Sequence, residues 1–154
     1  MIKAIPTKYA GTNFRSRLEA RWAAYFDLNK WDWSYEPLDL DGWCPDFGIH
    51  TKHDDVFIEV KPVRLQQHLN LGRQLPSDSS FEKARKHCRD VWVLLLGVEP
   101  SQDADFFGPG TLMDPPQRAS CEWWQMLEEI SPKAGNRIWR EAGNLVQWRG
   151  VANG

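Results

Sequence analysis

Residues 43–62 read Trp43-Cys44-Pro45-Asp46-Phe47-Gly48-Ile49-His50, then Thr51-Lys52-His53-Asp54-Asp55, then Val56-Phe57-Ile58-Glu59-Val60-Lys61-Pro62. Two runs rich in aromatic and β-branched residues flank a short polar stretch, and Pro62 closes the second, which is the pattern of a β-hairpin. Strand side chains alternate, so Glu59 and Lys61 share one face while Ile58 and Val60 take the other. Asp46 is opposite in facing to Phe47 and precedes Glu59 by 59 − 46 = 13 residues. Paired strands bring positions at such a spacing close together. Two carboxylates and an ammonium are therefore expected on one polar spot beside an apolar core.

Working outward, Trp31–Glu36 reads as a further strand stopped by Pro37, with Asp41-Gly42 as a turn before the next one. The strands Trp31–Glu36, Trp43–His50 and Val56–Lys61 make an antiparallel meander. Residues 1–11 read as a lead-in. A helix is expected from Asn13 to Asn29, capped by Thr12 or Asn13, because Leu18, Trp22, Tyr25 and Phe26 form one apolar stripe. After the hairpin, residues 63–76 carry no clear pattern. Ser79 or Ser80 can cap a helix running to about Arg89. Val91–Leu96 is almost wholly apolar, as in a strand buried on both faces. A Pro- and Gly-rich loop follows over 98–117. Two short helices come next, with stripes Trp123, Met126, Leu127, Ile130 and Ile138, Ala142, Leu145, Val146. The expected class is α/β in the mixed α+β sense. One domain spans 1–154, with its core at about 12–97 and a Trp-rich helical tail over 98–154.

The chain has 154 residues, of which 42% are hydrophobic and 26% charged, enough for a core and too apolar for wholesale disorder. Its net charge of −2 removes the simple argument that strong basicity gives for a nucleic-acid partner. Acidic metal ligands offsetting a basic groove would produce the same balance. Cys44, Cys88 and Cys121 are an odd set without a close pair, which argues against a disulfide framework. No apolar stretch reaches membrane-spanning length and the first residues hold no signal-peptide core, so a cytoplasmic setting with no membrane partner is expected.

The carboxylate–lysine group suits phosphodiester hydrolysis, which needs a cation to stabilise charge on the phosphate and to activate water. Mg²⁺ takes oxygen ligands and keeps several waters, so one or two carboxylates suffice to hold it. A neighbouring lysine can orient or deprotonate the attacking water. Glu19, on the first helix, can add a third carboxylate.

Taken together, Ser16-Arg17-Leu18-Glu19, Tyr35-Glu36-Pro37, Trp43-Cys44-Pro45-Asp46-Phe47 and Ile58-Glu59-Val60-Lys61-Pro62 resemble the PD-(D/E)XK nuclease superfamily. The likeness is to the branch with the endonuclease subunit of heteromeric transposases and small phage-type nucleases. It covers roughly residues 12–97. It implies a restriction-endonuclease-like core of order α-β-β-β-α-β and a Mg²⁺- or Mn²⁺-dependent endonuclease acting on DNA. By the same resemblance Asp46, Glu59 and the Val60 carbonyl bind metal, Lys61 serves the water, and Glu19 is the first-helix acid. Ser16-x-x-Glu19 is also a capping box, in which Glu19 only satisfies backbone N–H groups. The expected earlier helix start and the resemblance both favour the site role.

Arg15, Arg17, Arg21, Lys83 and Lys86, with Arg64 and Gln67 just past the site strand, are candidates for nucleic-acid contacts, since a nuclease must neutralise phosphates. Each taken alone reads equally as a solvated surface residue. Cys44, His50 and His53 match no structural zinc spacing. Trp123 lies on its helix's apolar stripe and is expected in the core, whereas Trp124 lies off it and suits a surface role. The rival to the enzyme is a nuclease-fold accessory module that binds DNA or protein without cleaving. A protein partner or homodimer fits either, and a third reading makes the Trp-rich tail a docking surface.

Overall fold

The run Trp92-Val93-Leu94-Leu95-Leu96 is buried along its whole length and forms the second innermost strand of a five-stranded sheet. The computed structural model describes residues 4–65, 79–101, 108–133 and 135–147. Their elements, in chain order, are β1 (Thr7–Tyr9), β2 (Thr12–Phe14), α1 (Arg17–Leu28), β3 (Asp32–Tyr35), β4 (Phe47–His50), β5 (Asp55–Val60), α2 (Ser79–Arg85), β6 (Trp92–Leu96), β7 (Thr111–Leu112), α3 (Trp123–Glu129) and α4 (Gly135–Val146). The sheet order is β3-β4-β5-β6-β7. Among the described residues only the β5–β6 pair is parallel, with Glu59 opposite Leu95 and Val60 opposite Leu96. A parallel pair needs a crossover, and the segment carrying α2 provides it. The chain is thus a mixed α+β fold, and the expected meander is present as β3-β4-β5. Among the described residues no helix is long and apolar enough to cross a membrane.

Alternation sorts the two central strands onto two apolar layers. Val56, Ile58 and Val60 of β5 join Trp92, Leu94 and Leu96 of β6 in the larger layer, against Trp22, Tyr25 and Phe26 of α1 and Ile138, Trp139 and Ala142 of α4. Phe57, Val93 and Leu95 face the smaller layer, with Trp43 and with Phe81 and Ala84 of α2. Glu59 thus sits on the smaller-layer face of β5, at its open end.

The N-terminal part departs from expectation. Thr7–Phe14 is a hairpin, not a lead-in and a helix start. Ala10 and Gly11 both adopt positive φ, 50° and 79°, so a two-residue turn joins Tyr9 to Thr12. Phe14 is buried, 4.6 Å from Tyr35 and 6.0 Å from Phe47 between ring centroids. The helix starts at Arg17 because the Ser16 hydroxyl accepts the Glu19 N–H at 3.1 Å. Further on, the strand expected over Trp43–His50 begins only at Phe47. Trp43 forms an isolated bridge with Leu40 across the Asp41-Gly42 turn. The helix expected to reach Arg89 ends at Arg85 and tightens into i→i−3 turns, His87 to Ala84 and Cys88 to Arg85.

The C-terminal part also differs. The loop 98–117 holds β7, which pairs with β6. α4 is no appendage: Trp139 lies 4.5 Å from Trp22 and the two helices share the main core. On this helix Trp139 is buried and Leu145 is exposed, the reverse of the expected stripe edge. Trp123 is exposed at 36%, because α3 turns only Met126 and Leu127 inward, and Trp124 is exposed as expected.

Candidate active site

Glu59 and Val60 extend β5 beyond its last pairing with β4, Phe47↔Ile58. Asp46 N–H donates to the Ile58 carbonyl at 2.8 Å, so Asp46 and Phe47 both address Ile58 and the ladder is offset by one residue. The simple alternation expected for Asp46 is broken there. Its carboxylate turns into the gap where β4 no longer accompanies β5. Oδ2 accepts the Val60 N–H at 2.8 Å, in the place a strand carbonyl would take.

The second carboxylate is held differently. Glu59 Oε2 accepts the Trp43 indole N–H at 3.0 Å, and Oε1 stands 3.6 Å from Lys61 Nζ. Lys61 is fixed by its own backbone, whose N–H donates to the Leu96 carbonyl at 3.0 Å. Asp46 and Glu59 are each only 5% exposed. Burial pushes both carboxyls above the usual carboxylate range, and for Asp46 the neighbouring Glu59 charge adds to the rise. The Val60 N–H and Arg15 pull Asp46 the other way. Trp43 and Lys61 do the same for Glu59.

Arg15 crosses the mouth of the site. Its Nη2 lies 3.0 Å from Asp46 Oδ1, 2.9 Å from Glu36 Oε1 and 3.9 Å from Glu19 Oε2. Glu19 is buried at the start of α1, where its N–H belongs to the Ser16 cap. Its carboxylate does not return to the cap as a capping box requires. It accepts the Tyr35 hydroxyl at 2.9 Å, and burial raises that hydroxyl to about 12, keeping it a donor. Arg15, Glu19 and Asp46 line a cleft of about 280 Å³ with the exposed Lys83.

The cleft thus gathers Glu19, Asp46, Glu59, Val60, Lys61, Arg15 and Lys83. The Val60 N–H is held by Asp46 Oδ2. Arg21 is not there. Its guanidinium lies 4.0 Å over the Trp139 ring and donates to the Trp139 carbonyl at 2.9 and 3.1 Å, binding α1 to α4. Arg17 and Lys86 are exposed outside the lining, and Arg64 lies 3.9 Å from Glu99. Gln67 lies outside the described residues. Sequence reasoning overlooked Trp43 and Tyr35 as partners of the acids and Glu36 as a partner of Arg15, although all three stand in the strings that carry the resemblance.

Asp46 and Glu59 present a hard, all-oxygen donor pair, which suits Mg²⁺ or Mn²⁺ completed by water and substrate. Two buried acids side by side disfavour their charged forms, and a cation between them offsets that cost. Among the described residues no group of three or more His, Cys, Asp and Glu side chains is placed to hold a metal. The zinc candidates are likewise scattered: Cys44 lines the cleft while His50 pairs with Asp55 at 2.8 Å.

Comparison with protein-family models, with curated proteins and with solved structures gives no match. The chemistry of the cleft therefore rests on its geometry.

Proposed function

We propose that the chain is a metal-dependent endonuclease that hydrolyses phosphodiester bonds in DNA. The observation that carries this reading is the pair of buried carboxylates, Asp46 and Glu59, at the parting of β4 and β5, with the Lys61 ammonium 3.6 Å from Glu59. Buried acids with raised proton affinity, set in a cleft beside a lysine, are arranged for chemistry rather than for cohesion. The run α1-β3-β4-β5-α2-β6, with β6 parallel to β5, supports the restriction-endonuclease-like core.

Asp46 and Glu59 would hold Mg²⁺ or Mn²⁺, which supplies Lewis acidity at the phosphate and activates water. Lys61 positions that water from the Glu59 side and offsets negative charge. Arg15 and Lys83, at the cleft mouth, take the flanking phosphates as charge-assisted donors. Arg15 exposes 65% of its side chain, so it can leave Asp46 for a phosphate without disturbing the core.

The test is a cleavage assay with Mg²⁺ or Mn²⁺ on single-stranded, duplex and branched DNA, run beside Glu59→Ala. The expected result is metal-dependent cleavage that the variant loses while DNA binding stays intact or tightens, since one repulsive charge is gone. A protein that binds DNA but cuts no form of it with either metal is an accessory module instead.

A further inference from the structure

The two carboxylates share a design. Asp46 gives Oδ2 to a rigid neutral donor, the Val60 N–H, and Oδ1 to a flexible cation, Arg15. Glu59 repeats it: Oε2 takes the Trp43 indole N–H at 3.0 Å and Oε1 faces Lys61. In each acid one oxygen is pinned by a group that cannot leave. The other faces a long cationic side chain that can swing away.

The Trp43 ring is fixed from several sides. Its backbone exchanges two hydrogen bonds with Leu40, each 2.8 Å, which close the Asp41-Gly42 turn. The ring stacks on His87, with centroids 5.7 Å apart and planes at 30°. His87 is tied in turn to the Asp41 carbonyl at 2.8 Å. Phe57, Phe81 and Leu95 belong to the same buried cluster, and only 4% of Trp43 is exposed. A donor held this firmly reproduces one orientation of the carboxylate it meets. Partners behind a ligating group commonly set its orientation and tune its affinity for the ion.

We propose that Trp43 is a positioning residue, whose indole N–H pins Oε2 of Glu59 so that Oε1 is the oxygen presented to a divalent cation in the cleft. This rests on the metal-dependent reading above and adds to it a residue that acts through Glu59. A phenylalanine in that place would fill most of the same space and keep the stacking on His87. It would lose the indole N–H that meets Oε2 of the carboxylate.

The experiment uses the full chain with Trp43→Phe. A second variant carries 3-benzothienylalanine at position 43, which keeps the bicyclic shape and replaces N–H by sulfur. Three quantities are read for each protein: Mn²⁺ affinity from the electron paramagnetic resonance of free Mn²⁺, single-turnover cleavage against DNA concentration, and the urea midpoint. Loss of the donor is expected to weaken Mn²⁺ about 10- to 100-fold. The maximal cleavage rate falls with it, while the half-saturating DNA concentration stays unchanged. The benzothienyl variant should show these losses with a urea midpoint close to wild type, which separates positioning from packing. If both variants bind Mn²⁺ and cleave as wild type does, Trp43 only packs and this inference falls alone. If the wild-type protein itself binds no Mn²⁺, the metal-dependent reading fails and the inference fails with it.

Discussion

Lys61 is the first residue past β5, two positions beyond Glu59, and their contact at 3.6 Å follows from the alternation of extended backbone. If the lysine serves the attacking water, Lys61→Arg is the discriminating change. It keeps the charge, so phosphate attraction largely survives. The guanidinium is planar, bulkier and effectively never deprotonated, so it fits a water site poorly. DNA affinity at fixed salt should stay near wild type while single-turnover cleavage slows by about 10²–10⁴-fold, the usual cost of losing an acid–base group. Cleavage at the wild-type rate would reduce Lys61 to a charge in the groove. At this scale the acids and the lysine were legible in the sequence because strand periodicity places them. The arginines were not. Arg15 and Arg21 are six residues apart on the same stretch, yet Arg15 reaches Asp46 and Arg21 lies on Trp139. A guanidinium goes to whichever acceptor or ring the tertiary structure brings within reach.

Helix α4 carries the clearest lesson at the scale of elements. Ile138, Ala142 and Val146 form the centre of its buried face, as their spacing requires. Leu145 flanks that face on one side and Trp139 on the other. Hydrophobicity admits both flanks, and the position of α1 decides between them. Trp139 is buried against Trp22 and under Arg21, while Leu145 stays 56% exposed. Trp139→Ala should therefore destabilise the fold by about 3–5 kcal/mol, the range for deleting a large buried aromatic ring. Urea unfolding measures this, and Leu145→Ala is its control, with a change of about 0.5 kcal/mol or less. A small effect at Trp139 would mean that α4 does not close the core. The start of α1 makes the same point in another way. Ser16 caps it, and Ser16→Ala should cost about 1 kcal/mol by the same measurement. The earlier start read from the apolar stripe failed because Phe14 is equally well placed in a strand that packs on Tyr35.

For the molecule as a whole, the buried acid pair links stability to pH and to metal. Asp46 and Glu59 hold protons more tightly in the folded chain than in the unfolded one. Their protonation therefore stabilises the fold. That contribution is fully present below the unfolded carboxylate pKa of about 4 and is lost as pH rises through the raised folded values. In EDTA, Asp46→Asn should consequently melt above wild type near neutral pH and lose that advantage under acid conditions. Asparagine keeps an oxygen acceptor for the Val60 N–H, so the comparison isolates the charge. Mg²⁺ should raise the wild-type melting temperature at neutral pH, as a ligand specific to the native state does, and leave the variant unmoved. Thermal unfolding across pH, with and without Mg²⁺, checks both. Equal melting curves in EDTA at every pH would remove the mutual strain of the two acids.

The sequence by itself determined what depends on neighbours along the chain: the three-strand meander, the doubly buried strand Trp92–Leu96, and the close approach of Glu59 and Lys61 at the end of β5. Periodicity and breaker residues are local, so they can be read in one dimension. Only the tertiary structure decided which groups complete the cleft. The Trp43–Glu59 hydrogen bond spans 16 residues, and the contacts of Arg21 with Trp139 span 118. The offset at Ile58 that turns Asp46 into the gap arises where two strands part company. Such contacts depend on how separate elements come to lie against one another, because a side chain's partner is set by distance in space rather than by position along the chain.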